Sequence, residues 1–341
     1  RTFWTEPPGG LPGVSPSRTP RALVAEPTPV ESGRAWLLAR QNADGGWGKA
    51  VVEQNLASAI QVSSLAVLAL TEDPRLGSDP HLDRALDFLK SHQDPAGFLG
   101  PSCDKRTLVQ AMGTAALAGL ARTRPEAREP LRKAALALLK SRGADGWSKD
   151  GTAGQIHAVA TAWASAALLR AQSADAGLPK DWMQRVSRGC RHLVDRRRKT
   201  AGLFRQGDEA TTGGGWASTV AVGATLSWLG EPAEARLLAP AALDGAEACW
   251  GLPSMEGADP ETLALLALWA RSDPAVLPEP AREGLRDAFA RWGRRGGKDA
   301  ARWTTRSGSR WDSLSGEAYA TALAVWTLEL AEPPAKAPRR P

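Results

Sequence analysis

Arg34-Ala35-Trp36-Leu37-Leu38-Ala39-Arg40-Gln41-Asn42-Ala43-Asp44-Gly45-Gly46-Trp47 reads as an amphipathic helix closed by a glycine-aromatic turn. The same paragraph recurs. Arg84-Ala85 runs through Phe88-Leu89 and Gln93 to Gly97-Phe98, and Lys133-Ala134 through Leu138-Leu139 to Gly146-Trp147. Looser copies follow: Arg188 through His192-Leu193 to Gly202-Leu203-Phe204, a helix from about Arg236 to Trp250, and Leu285 through Phe289 to Trp303. The marker aromatics at 47, 98, 147, 204, 250 and 303 recur at roughly 50 residues, enough for two helices and two loops.

Between the markers lie smoother, Ala- and Leu-rich segments: 56–70, 108–120, 156–169, 218–229, 261–269 and 317–330. They are apolar nearly all round and so are expected to be buried on every side, whereas the first-type helices carry Arg, Lys and Asp on one face. A helical hairpin of this kind cannot bury its apolar face alone and must stack on its neighbours. Six pairs of near-equal length, without polar-faced capping repeats, predict an all-α chain closed into an (α/α)6 toroid, or barrel, of six helical hairpins. In the turns, glycine permits chain reversal, the aromatic fills the corner against a neighbouring hairpin, and Gln41 and Gln93 satisfy orphaned backbone groups.

Composition narrows the functional classes. The 341 residues include 14 Trp against 5 Phe and 1 Tyr, the bias a repeated element leaves. The formal charge of +6 comes largely from Arg clusters at 188–205 and 291–310, which is too local for a nucleic-acid-binding face. No apolar run reaches the roughly 20 residues of a transmembrane helix. Cys103, Cys190 and Cys249 lack any Cys-x-x-Cys pairing, so neither a disulfide framework nor a zinc site is expected, and no cofactor is indicated. Residues 1–31 read as a Pro-rich arm or linker, 32–331 as the repeat body, and 332–341 as a disordered basic tail. Because the chain opens at Arg1, an upstream segment is expected, and with it an unread targeting signal.

Arg34 to Trp47, with its closer copy at 84–98 and looser one at 133–147, resembles the QW repeat of the squalene-hopene cyclase and prenyltransferase superfamily. The resemblance extends over roughly residues 32–331. It implies a terpenoid cyclase fold whose central cavity holds isoprenoid chains, and, if the chain is an enzyme, terpene cyclase-like isomerase or lyase chemistry. An isoprenoid or other apolar small molecule is then the expected partner, with peripheral membrane contact and a cytoplasmic or membrane-peripheral location. Class II cyclases of this superfamily open an inner helix with Asp-x-Asp-Asp. Here Ala258-Asp259-Pro260-Glu261-Thr262 occupies that place, so the usual proton donor falls on Pro260 and a cyclase of this kind would be noncanonical. Glu247-x-Cys249 is the nearest imitation of the prenyltransferase zinc ligands, but no His follows it.

Asp259 and Glu261 are therefore candidate acids, with the alternative that acidic residues simply favour a helix N-terminus. His157, one turn into the third inner helix, is a candidate general base, and Tyr319, opening the sixth, a candidate acid-base phenol. Each is also readable as a packed, hydrogen-bonded residue. Arg302, Trp303, Arg306, Arg310 and Trp311 form a basic, aromatic sixth loop suited to diphosphates, carboxylates or sugar rings. Trp163 and Trp269 punctuate inner helices as cavity walls or as filling. Two other functions compete with isoprenoid accommodation: a non-catalytic binding or scaffold toroid, and a glycan-active (α/α)6 enzyme with carboxylate pairs at the mouth.

Overall fold

A computed structural model describes residues 27–49, 55–143, 146–152, 156–184, 186–188, 191, 214–250, 252, 260–293, 303 and 316–332. Among them the regular elements are helical. The long apolar segments form α2 (Leu56–Thr71), α4 (Arg106–Ala121), α6 (Ala158–Ser173), α7 (Gly214–Trp228), α10 (Pro260–Ser272) and α12 (Gly316–Ala331). The amphipathic ones form α1 (Pro29–Ala39), α3 (Pro80–Ser91), α5 (Arg128–Lys140), α9 (Ala239–Trp250) and α11 (Glu279–Gly293), with a short α8 (Pro232–Arg236) between α7 and α9. The fourth outer helix expected around 188–193 and its marker Phe204 fall largely outside the described residues.

The inner helices close on themselves. α2 packs on α4, α4 on α6, α6 on α7, α7 on α10, α10 on α12, and α12 returns to α2. The outer helices sit against this ring: α3 against α2 and α4, α5 against α4 and α6, α9 against α7, and α11 and α1 against α12. Burial follows the layering. In α4 every residue from Thr107 to Ala121 is buried, while α3 buries only Leu82, Ala85, Leu86, Phe88 and Leu89.

The repeated turn divides its work among its residues. The marker indole secures its own hairpin: Nε1 of Trp47, Trp147 and Trp303 donates to the carbonyls of Leu37, Leu138 and Phe289 at 2.7, 2.8 and 2.8 Å. The backbone N–H of the same tryptophans donates to Ser63, Thr161 and Thr321 on the following inner helix. Glutamine ties one hairpin to the next. Gln41 Nε2 donates to Gly45 O and to His81 O of α3, and Gln93 Nε2 to Gly97 O and Pro130 O of α5. Gly45 lies where these hairpins touch, at φ +89° with an ideal Cβ position 2.2 Å from Arg84 O, so no side chain fits there.

Helix α1 begins three residues earlier than the arm boundary at 31 suggested. Thr28 and Glu31 form a reciprocal capping box around Pro29 at the first turn. From this helix Arg34 reaches inward and is 7% exposed. It donates to Ala69 O at 3.0 Å, pairs with Asp73 at 3.1 Å, and pairs with Glu329 of α12. The first and last hairpins are thereby joined by one buried guanidinium.

Candidate active site

Glu261 is the second residue of α10 and is 6% exposed. Tyr319 OH on α12 donates to its Oε1 at 3.1 Å, and Gln61 Nε2 on α2 donates to the same oxygen at 3.1 Å. Helix α12 lies between α10 and α2 in the ring, so the direct Gln61–Glu261 contact passes on the luminal side of α12. Three hairpins, the first, fifth and sixth, thus supply one buried polar cluster near the amino ends of the inner helices.

Deeper inside the ring the packing is aromatic. Trp326 lies two helical turns beyond Tyr319, on the same face of α12 and about 10 Å further in at 1.5 Å per residue. Its ring centroid is 5.5 Å from that of Trp163, and α6 and α12 stand opposite each other in the ring. The two indoles meet across the middle. The Arg170 guanidinium rests 6.0 Å from the Trp326 ring and is paired with Glu72 at the end of α2. Glu72 also faces Arg271 at 3.7 Å, and these guanidinium groups hold its carboxyl below the ordinary range although burial opposes them. Trp269 packs against α7, where an added Cβ on Gly223 would stand 2.2 Å from the indole. The indole nitrogens of Trp163, Trp269 and Trp326 are buried without a hydrogen-bond partner among the described residues.

Of the sequence candidates, then, Glu261 and Tyr319 are brought together and Trp163 joins the aromatic wall below them. His157 stands elsewhere, as the N-cap of α6, its Nδ1 accepting from Ala160 N at 3.2 Å. Burial, reinforced by the Lys149 ammonium, lowers its pKa to about 4, so the ring is neutral at pH 7. Trp303 is buried at 2%, its two N–H groups spent on Phe289 and Thr321. Asp259, Arg302, Arg306, Arg310 and Trp311 lie outside the described residues. Gln61 was not singled out from sequence, although a lone amide within the apolar run of α2 was a readable signal.

The histidine cap has a measurable consequence. With its pKa near 4 in the folded chain against 6.5 unfolded, the unfolded state binds the extra proton between those values. Stability from this group is complete above pH 6.5 and falls as pH drops toward 4, by up to about tenfold in the unfolding constant per unit. Asparagine preserves the cap without the titration. Chemical denaturation of wild type and His157→Asn between pH 4 and 7 is expected to give a stability difference that shifts in favour of the variant as pH falls; a constant difference contradicts the assignment.

Among the described residues there is no group of three or more His, Cys, Asp or Glu side chains placed to hold a metal, and no helix long and apolar enough to cross a membrane.

No family model matches the chain. It is similar to an uncharacterized protein of Sinorhizobium fredii, with 31% identity over 215 residues that cover 55% of this chain and 41% of the relative. An uncharacterized protein of Bradyrhizobium diazoefficiens matches with the same identity and coverage. A shorter match, 41% identical over 68 residues, covers 20% of this chain and 12% of the drimenyl diphosphate synthase of Streptomyces showdoensis. The chain thus spans about two fifths of the length of the first two relatives.

Proposed function

We propose that this chain is a terpenoid-cyclase-like ring that seats an isoprenoid or similar apolar chain in its lumen, with Glu261 as the carboxyl group that handles the proton. The observation that carries the reading is the Gln61–Glu261–Tyr319 cluster, set above the Trp163–Trp326 pair inside a ring of six helices. The partial likeness to drimenyl diphosphate synthase supports it.

In a cyclisation of this type a carboxylic O–H bond and an alkene π bond break as a C–H bond forms. A second alkene captures the resulting cation, and a proton leaves the last cation to restore the acid. In Glu261, Oε1 receives the tyrosine and glutamine donors, which hold the carboxyl group in place. Glu261 delivers the first proton as the neutral acid, and the carboxylate left behind is the form that takes the last proton back. Indole faces stabilise positive charge developing beside them.

Incubation with farnesyl or geranylgeranyl diphosphate tests the reading, with native mass spectrometry for retention and chromatography for cyclic isomers. Glu261→Gln is expected to keep binding and to lower conversion by about 10²–10⁴-fold. Undiminished conversion removes Glu261 from the chemistry. Pro260 at the motif's central position favours a second, non-catalytic reading, which retention without conversion by the wild type would establish.

A further inference from the structure

A cavity lies at the seam where the first hairpin meets the last, outside the ring of inner helices. It has a volume of about 440 Å³ and is bounded by the start of α1, by α11 and by the end of α12. That is within the range of small-molecule sites. Its apolar side is aliphatic: Pro29 and Val30 of α1, Ala290 of α11 and Leu328 of α12.

The charged lining is unequal in what it has left to offer. Each lining arginine already has a carboxylate outside the cavity: Arg34 and Arg75 share Asp73, at 3.1 and 2.8 Å, and Arg286 pairs with Glu279. Of the lining carboxylates, Glu329 is held by Arg34, and Glu31 closes its own capping box with Arg75 at 3.6 Å. Asp287 and Glu332 have no cationic partner among the described residues. The cavity therefore presents uncommitted negative charge next to an aliphatic wall.

We infer that this seam cavity is a binding site for a small organic ammonium ion with an aliphatic body. A primary or secondary ammonium supplies N–H donors to the carboxylates while its carbon chain covers Val30 and Leu328. A quaternary ammonium cannot donate, and none of the residues lining the cavity is aromatic to recognise it through a π face. The site is separate from the luminal cluster and does not depend on any activity assigned there.

Titration of the full chain with n-hexylammonium, followed by calorimetry and by thermal shift, tests the inference. Hexanol, hexanoate and hexyltrimethylammonium serve as matched controls. Hexylammonium is expected to bind and to raise the melting temperature, with each control at least about tenfold weaker. The double variant Asp287→Asn, Glu332→Gln alters two exposed side chains without a described partner, so the fold is retained, and its affinity is expected to fall at least about tenfold. Leu328→Asn is expected to weaken hexylammonium more than methylammonium. Equal binding of hexanol, or unchanged affinity in the double variant, overturns the site, as does the absence of any ammonium binding.

Discussion

Replacing Arg34 by methionine is expected to cost the fold about 3–5 kcal/mol, because it removes the central partner of a buried ionic cluster. The guanidinium holds Asp73 and Glu329 while donating to Ala69 O, and so touches α1, α2 and α12 together. Methionine fills the volume of the side-chain stem but leaves Ala69 O and Glu329 without their donor. Asp73 suffers less, since Arg75 still pairs with it.

The loss has a definite pH dependence. Burial raises the pKa of Glu329 above the ordinary carboxylate range, and the Arg34 charge pulls against that rise. Without Arg34 the pKa climbs further, so holding this carboxyl ionised penalises the folded variant over a wider span above pH 4.5. Protonation relieves the penalty. Denaturation at pH 8 and pH 5 is therefore expected to show a smaller gap between wild type and Arg34→Met at the lower pH. A gap that widens on acidification would refute the role given to Glu329.

Trp326→Ala is the second large effect, about 3–5 kcal/mol for truncating a buried tryptophan. Trp163→Ala is expected to cost a similar amount, and the two losses are not additive, since part of each is the same ring contact at 5.5 Å. Either truncation also opens the middle of the lumen. If the luminal reading is correct, the variants accept a longer prenyl diphosphate than the wild type does. Competition between farnesyl and geranylgeranyl diphosphate reads this directly: the preference is expected to move toward the longer chain by about tenfold or more, the worth of a few buried methylene groups. Trp163→Leu, which retains more of the packing, repeats the test where alanine unfolds the chain. An unchanged preference in a folded variant would show that these indoles do not bound the occupied space.

Much of the ring was readable because burial on all sides leaves a strong trace. The segments at 56–70 and 317–330 are apolar on every face, and helices α2 and α12 begin and end within a residue of them. Boundaries set by local capping were less visible. Pro29 was assigned to a proline-rich arm, whereas Thr28, Pro29 and Glu31 together spell a helix start. Glu261 and Tyr319 each stood out for their chemistry, yet nothing in linear order indicates that they share an oxygen with Gln61, which lies 200 residues from Glu261. Arg34 was a marker of the repeat. That it joins the ends of the ring depends on Glu329, a residue with no repeat signature of its own. Sequence periodicity reports what each hairpin does alike, and the site and the seam are built from what single hairpins do differently.

The cluster around Glu261 draws on the first and the last two hairpins of the ring, and this bears on biosynthesis. The amide from α2 leaves the ribosome long before the carboxylate and phenol it will meet, and must wait for them within a nascent, unclosed arc. A product that stops before Tyr319 lacks the phenol that completes the constellation. The three side chains come together only when the first hairpin meets the fifth and sixth.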